Sequence, residues 1–409
     1  MRTGRIAIAH KDYDVRGGGE VLAEELARTF EAPLYVGHGD PANQPDDGEV
    51  DVRELAPGSP LHRLMRRDGA IRGIGHMLHW RDNAHAALGE YEVVVTSGNE
   101  PLWWLPADRQ TVVAYTHSPP RWLYDRYHES EGFVGRTYQQ FQRRLYEGAV
   151  KRPDLFVANS DLVARRIRRY WSVPDERIRT VYPPVDTAAF SPEDAPTGDY
   201  WLALSRLDAA KHTADVVEAV AERGDRLVVA GDGPERERLE RLAGPTVEFV
   251  GYVDEAEKRE LLSGARACVY AAANEDFGMV PVEAMAAGTP VVGVDDGFTA
   301  FQVRDGVNGV VFERGALAAA LDRFERDGVR WDGDQIAAFA RANFSVERFR
   351  REMREAVVDA VEAASVEPEW VLPPECVPGD AGEESDAAEQ DAGWSGSEGA
   401  PVPDRGRDR

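Results

Sequence analysis

The chain has 409 residues, 48 Lys and Arg against 73 Asp and Glu, and a formal net charge of −25. That length fits two domains better than one, and 43% hydrophobic residues are enough to build real cores, which excludes a wholly disordered chain. The charge excludes a nucleic-acid binder that works through a bulk positive field, because phosphates would be repelled.

Met1–His10 has too short an apolar stretch for a signal peptide and reads as a chain opening on a strand, Arg5–His10. Asp12-Tyr-Asp14 follows, a D-x-D string of which about two or three are expected by chance at this Asp content, so no metal is assigned to it or to Asp332-Gly-Asp334. Gly17-Gly18-Gly19-Glu20 opens a helix over Glu20–Phe30, and glycines there let backbone amides approach a diphosphate closely; a flexible turn is the competing reading. A third glycine is not placed for a dinucleotide fingerprint, which disfavours an NAD oxidoreductase. Pro33–His38 is the next strand. Leu61–Trp80 carries four Arg and one Asp among apolar residues, the pattern of a helix lying on a membrane or of an ordinary amphipathic helix packed in a domain. Tyr91–Ser97 and Thr111–Ser118 read as strands. Trp103, Trp104 and Trp122 fit either a sugar-stacking role or the core. His117 ends the Thr111–Ser118 strand, within Tyr115-Thr-His-Ser-Pro-Pro-Arg121. Leu155–Ser160 and Arg177–Tyr182 complete the strands of the first half.

Pro183-Pro184 ends that half, and Ser191–Gly198 is a Pro/Gly/Ser-type linker. The second half reads as strands Tyr200–Arg206, Arg226–Gly231, Val247–Val253, Ala267–Ala272, Pro290–Val294 and Gly309–Glu313. Helices Ala214–Arg223, Pro234–Ala243 and Glu255–Ala265 lie between them. Arg206 and Lys211 follow the first of these strands. Arg206 is one of 44 arginines, so surface charge explains it readily; Lys211 is one of four lysines in 409 residues, so chance explains it poorly. Glu275-Asp-Phe-Gly-Met-Val-Pro-Val-Glu283 is the strongest local feature. The loop at Gly278 precedes Pro281 in a first helical turn, so the amides of Gly278, Met279 and Val280 face outward with the helix dipole behind them, an arrangement that binds phosphate. Glu275 and Glu283 bracket this nest, one suited to sugar hydroxyls and the other to a ribose diol; a solvated acidic loop is the competing reading. Residues 333–364 read as helical. The last 45 residues, 365–409, hold 12 acidic and three basic residues with six Pro and six Gly, and are expected to be disordered.

The near-continuous Val/Ile/Leu/Ala strands alternating with helices predict two Rossmann-like, doubly wound parallel sheets, over about 1–185 and 199–330, with a cleft between them and helices over 333–364 packing back across the domains. No apolar run reaches 18 residues, so no spanning helix is expected. Cys268, in an expected buried strand, and Cys376, in the tail, suggest neither a disulfide nor a metal site. A very acidic, Lys-poor, Arg-rich chain has the composition of proteins from salt-loving archaea. At about 1 M salt the Debye length is roughly 3 Å, so binding there rests on short-range contacts. A cytoplasmic location is expected, with peripheral contact at the inner face of the membrane as an option.

The ordered set Ser205-Arg206-Leu207-Asp-Ala-Ala-Lys211, Gly231-Asp-Gly-Pro-Glu235, Phe249-Val-Gly-Tyr252, Glu275–Glu283, Gly288-Thr-Pro-Val-Val292 and Asp305-Gly-Val-Asn-Gly309 resembles the donor half of family 4 retaining glycosyltransferases, which have the two-domain GT-B fold. The Gly17–Glu20 loop, Val157-Ala-Asn159-Ser160 and the His117 segment resemble the N-terminal half of the same family, the last being similar to members that transfer mannose. The resemblance implies a metal-independent hexosyl transfer from a nucleotide sugar, GDP-mannose or a UDP-sugar, to a glycan, glycolipid or lipid-linked acceptor, with no cofactor. It implies donor contacts from Gly18, Gly19, Arg206, Lys211, Gly231, Tyr252, Val253, Phe277, Gly278, Met279, Val280 and Glu283. Arg206 and Lys211 would stabilise the leaving diphosphate, a fork and a point charge in place of a metal ion. Glu275 and His117 would hold and polarise the transferred sugar, and Glu283 the ribose. A nucleotide-sugar 2-epimerase of the same architecture would isomerise donor without acceptor, and a non-catalytic binder would show no turnover.

Overall fold

In the computed structural model, which describes residues 2–3, 5–14, 16–45, 48–67, 69–125, 132–190, 198–326, 331–364 and 370–371, the alternating strand and helix signals become two parallel sheets. A two-residue strand, β1 (Arg2–Thr3), pairs in parallel with Trp370–Val371. The first sheet holds β2 (Ile6–His10), β3 (Leu34–Val36), β4 (Val52–Glu54), β5 (Val93–Ser97), β6 (Thr111–Thr116), β7 (Leu155–Ala158) and β8 (Ile178–Thr180), in spatial order β4-β3-β2-β5-β6-β7-β8. The second holds β9 (Tyr200–Leu204), β10 (Arg226–Ala230), β11 (Val247–Gly251), β12 (Ala267–Tyr270), β13 (Val291–Val294) and β14 (Gly309–Phe312), in order β11-β10-β9-β12-β13-β14. This is the doubly wound α/β architecture that the strand patterns predict.

Strands β2, β5, β6 and β7 are buried along their whole length. Their side chains alternate between two cores: Ile8, Val95, Val113 and Val157 face one, and Ala7, Val94, Ala114 and Phe156 face the other. Burial on both faces is why these strands read as unbroken apolar runs. The edge strand β4 is not among the strands read from sequence, because an exposed Arg53 between half-buried Val52 and Glu54 gives almost no periodic signal. The strand read as Thr111–Ser118 ends at Thr116, so His117 has already left the sheet.

Each sheet order reverses once, between β2 and β5 in the first and between β9 and β12 in the second. In doubly wound sheets the crevice outside the carboxyl ends of the strands at such a reversal is where ligands bind. The helix Gly333–Phe344 packs Ile336, Ala340 and Phe344 into the core of the second sheet beside Val282 and Met285. Ser345 then caps the helix Val346–Ala363, which inserts Phe349, Met353 and Val357 into the core of the first sheet. Trp103 and Trp104 are core residues, whereas Trp122 is 45% exposed. Within Leu61–Trp80, Met65 and Trp80 are buried, while Ile71 and Ile74 are exposed. Among the described residues no helix is long and apolar enough to cross a membrane. Most of the expected linker (191–197) and of the expected disordered tail, with Cys376, lies outside the described residues.

Candidate active site

The carboxyl end of β9 leads through Ser205 and Arg206 into a short turn, Ala209–Lys211, capped by Asp208. The Ala273 amide donates to the Ala210 carbonyl at 2.8 Å, which ties this turn to the segment leaving β12. Lys211 and Glu275, 64 residues apart, thereby meet with Nζ 2.6 Å from Oε2. The Tyr270 hydroxyl donates to the same oxygen at 3.1 Å. Arg206 is exposed and has no side-chain partner among the described residues. A charge with nothing to neutralise it inside the protein is available to an anion.

Gly278 has φ 81°, a conformation that favours glycine, and is the N-cap of the helix Met279–Ala286. Its carbonyl accepts from Gln302 Nε2 at 3.0 Å, which holds the cap in place. The first amides of such a helix have no intrahelical partner. One turn on, Glu283 accepts from Lys258 Nζ at 2.8 Å. The lysine scarcity that marks Lys211 in the sequence applies equally to Lys258. Burial works against the Lys258 charge, but Glu283 and Glu255 outweigh it and raise the Lys258 pKa. The ring of Phe277 is buried, with centroids 6.1 Å from Tyr182, 5.6 Å from Phe298 and 5.7 Å from Phe344. It anchors the loop to the core, so what it offers a ligand is backbone. Met279 and Val280 are half-buried against the same core. Tyr252 is 83% exposed beyond β11, with Val253 half-buried beside it. At Gly231 a side chain would stand 1.9 Å from the Ser205 carbonyl oxygen, so only glycine lets the loops after β9 and β10 touch.

On the first sheet, β2 ends at His10 and β5 at Ser97, on either side of the reversal. Ser97 Oγ bridges two rings, 3.0 Å from His10 Nδ1 and 2.9 Å from His117 Nε2. Glu20, in the first turn of the helix Gly18–Phe30, lies 3.4 Å from His10 Nε2 and 3.2 Å from Lys11 Nζ, and accepts from the Gly17 amide at 3.0 Å. Gly18 is open to solvent, and a side chain on Gly19 would point at both His10 and His117. Burial pushes the pKa of His117 down to about 3, helped by His10 and Lys11, and burial also lowers that of His10. Both rings are therefore neutral near pH 7. Burial alone would raise Glu20, but His10 and Lys11 prevail and hold it at about 2.

Arg166, on the helix Asp161–Trp171, bonds Asp276 between Glu275 and Phe277 and also bonds Asn274. Ser118 Oγ donates to the Asp276 carboxylate at 3.2 Å, and Ser160 Oγ to its carbonyl at 2.6 Å. Neither Arg166, one of 44 arginines, nor Asp276, one acid among 73, carries a local signal of this contact. In the first domain a cavity of about 240 Å³ is lined among others by Asn99, Glu100, Trp103, Trp122 and Tyr138. Trp122 and Tyr138 stack with centroids 5.9 Å apart. Of the D-x-D strings, Asp12 is buried within 3.3 Å of His76 Nε2 and pushed up to about 7 by burial and Glu100, and Asp332 caps a helix.

Two doubly wound sheets, with helix N-termini and cationic side chains gathered at their reversals, define an enzyme of the GT-B class. Model matches run end to end: Glycosyltransferase Family 4 over residues 16–189 and Glycosyl transferases group 1 over 186–340. The chain belongs to the GT-B glycosyltransferases of family 4. A D-inositol 3-phosphate glycosyltransferase from Nocardioides sp. is 32% identical over 202 residues, 41% of this chain and 44% of that relative. Another, from Jonesia denitrificans, is 28% identical over 335 residues, 69% of this chain and 76% of the relative. HepE from Anabaena, solved with UDP and glucose, superposes with a TM-score of 0.66 at 18% identity, over 86% of this chain and 99% of its own.

Proposed function

We propose that the protein is a retaining, metal-independent glycosyltransferase that moves a hexosyl group from a nucleotide sugar, GDP-mannose or a UDP-sugar, to a glycan or lipid-linked glycan. The observation that carries this reading is the 2.6 Å contact of Lys211 with Glu275 beside the Gly278 helix cap. Cation, carboxylate and amide nest stand together at the reversal of the second sheet.

In this reading the diphosphate sits on the amides of Gly278, Met279 and Val280 and of Gly18 and Gly19. As the sugar–oxygen bond breaks, negative charge builds on the leaving phosphate. Arg206 and Lys211 are already aimed there, so little reorganisation is needed. Glu275, held by Lys211 and Tyr270, accepts from donor sugar hydroxyls. Glu283, held by Lys258, takes the ribose diol, and Gly231, Tyr252 and Val253 flank the base. The neutral His117 ring hydrogen-bonds the transferred sugar. Attack from the same face, with the leaving phosphate taking the acceptor proton, accounts for retention. The acceptor enters by the aromatic cavity at Trp122 and Glu100.

Exposed Ile71 and Ile74 among Arg63, Arg66, Arg67 and Arg72 support a cytoplasmic protein that touches a membrane from the side. The test is a panel of UDP-, GDP- and ADP-sugars, scored by thermal shift at high salt and then by product analysis with and without acceptor. The cognate donor at 100 times its dissociation constant adds about 2.7 kcal/mol. Donor isomerised without acceptor would mean an epimerase, and binding without turnover a scaffold.

A further inference from the structure

Away from the donor contacts, three segments of the first domain bring imidazole and carboxylate groups together. His38 lies two residues past β3, Glu54 ends the edge strand β4, and His62 opens the helix His62–Met65. Glu54 Oε1 is 3.2 Å from His38 Nδ1 and 3.3 Å from His62 Nδ1. One ligand atom from each of the three falls within 4.8 Å of the others. All three side chains are mostly withdrawn from water, at 14%, 25% and 12% exposure. A fourth imidazole, the fully buried His79 of the helix Gly69–Leu88, packs against His62 with ring centroids 4.8 Å apart and planes tilted by 55°.

We infer that His38, Glu54 and His62 form a binding site for a transition-metal dication of the Zn²⁺ type. Tetrahedral Zn²⁺ with bonds of about 2.0–2.1 Å sets neighbouring ligands about 3.3 Å apart, which matches both contacts to Glu54. Two imidazoles and one carboxylate suit Zn²⁺ and its neighbours; Mg²⁺ and Ca²⁺ take oxygen ligands. A second observation points the same way. Both imidazoles present Nδ1 to the same carboxylate oxygen, Glu54 Oε1, with their ring centroids 5.0 Å apart.

The outer partner is present as well. Asp14 Oδ1 lies 3.7 Å from His38 Nε2, and metal-bound histidines commonly donate their other N–H to a carboxylate. Taking an ion on Nδ1 moves the His38 proton to Nε2. The exposed Arg66, whose Nη2 now stands 3.0 Å from that atom, turns to solvent and Asp14 accepts. A cavity of about 480 Å³ lined by Asp14, His38, Gly39, Asp40 and Arg66 opens at the His38 ring, and a water would complete four ligands. The ion would staple β3, the edge strand β4 and the helix at His62. It touches no group assigned to sugar transfer, so the inference stands apart from that reading.

The experiment uses the full chain, stripped with chelator and titrated with Zn²⁺ by calorimetry and with Co²⁺ by visible absorption. Expected are one Zn²⁺ per chain and the intense bands of four- or five-coordinate Co²⁺. Asp14→Asn weakens Zn²⁺ binding about 10- to 100-fold. His62→Ala and Glu54→Gln abolish the one-to-one step, and His85→Ala, on an exposed histidine, keeps it. No one-to-one uptake, a weak six-coordinate Co²⁺ spectrum, or uptake unchanged in Glu54→Gln would overturn the site. The wild-type Co²⁺ spectrum decides the matter even if His62→Ala does not fold.

Discussion

Arg166 and Asp276 join the two domains: a guanidinium from the Asp161–Trp171 helix of the first meets the carboxylate that stands between Glu275 and Phe277, in the loop before the Met279–Ala286 helix of the second. Burial raises the Asp276 pKa, and Arg166 is the principal opposing charge. Removing the cation alone leaves a mostly buried carboxylate uncompensated. Arg166→Met is expected to cost about 3 kcal/mol in denaturant unfolding. Arg166→Met with Asp276→Leu should recover much of that loss. A double-mutant cycle with no coupling would show that the contact does not hold the loop.

Arg206 and Lys211 should separate activity from stability. Arg206 is exposed and unpartnered, so Arg206→Ala leaves the melting temperature unchanged while the transfer rate falls by about 10²–10³, the scale of losing one group that stabilises developing charge. Lys211→Ala causes a similar fall and also releases Glu275, which keeps only Tyr270. Donor hydrolysis and transfer are the readouts, and an Arg206→Ala enzyme at full rate would remove Arg206 from the diphosphate site.

Lys258 acts through Glu283. Lys258→Met leaves the carboxylate without its cation and is expected to raise donor KM about tenfold, within the worth of a charge-assisted hydrogen bond, with kcat little changed. Glu283→Gln should give the same pattern. A fall in kcat at constant KM would place the pair in the chemical step instead of in ribose binding.

The pair His10 and His117 predicts an acid limit. Both pKa values are lowered by folding, His117 to about 3, so the unfolded chain binds more protons than the folded one below pH 6.5. Their contribution to stability is full above 6.5 and is lost as pH falls toward 3. Glu20, held at about 2, adds a loss that begins only below about 4.5. Asp12, raised to about 7, and the likewise lowered His62, His76 and His79 titrate in the same range, so the share of His117 is read as a difference: His117→Gln should flatten the slope of stability between pH 4.5 and 6.5 relative to the unmutated chain. The pH–rate profile should show no inflexion near 6.5 from His117.

The fold was legible because most strands are apolar runs buried on both faces, as at Val93–Ser97 and Leu155–Ala158. The edge strands Val52–Glu54, Ile178–Thr180 and Val247–Gly251 lack that signature, and the first of them gives no strand signal at all. The loop at Gly278 was legible because glycine, proline and two glutamates stand at fixed spacing. The groups that hold it were not. Arg166 is one of 44 arginines, and nothing local tells a domain clamp from a solvated helix face. The tryptophans likewise carry the same chemistry whether buried, as Trp104, or exposed, as Trp122. The cluster of His38, Glu54 and His62 is assembled by tertiary structure from three segments with no ligand spacing to read.

Three of the four lysines have now been placed against glutamates at the strand ends: Lys11 on Glu20, Lys211 on Glu275 and Lys258 on Glu283, while Lys151 is exposed elsewhere. Amine acylation therefore becomes a footprint of the crevice. Lys151 serves as the internal reference, and protection of Lys211 and Lys258 reads out whether the crevice is filled. With four such amines in 409 residues, peptide masses alone would report occupancy for an unlabelled ligand of any identity.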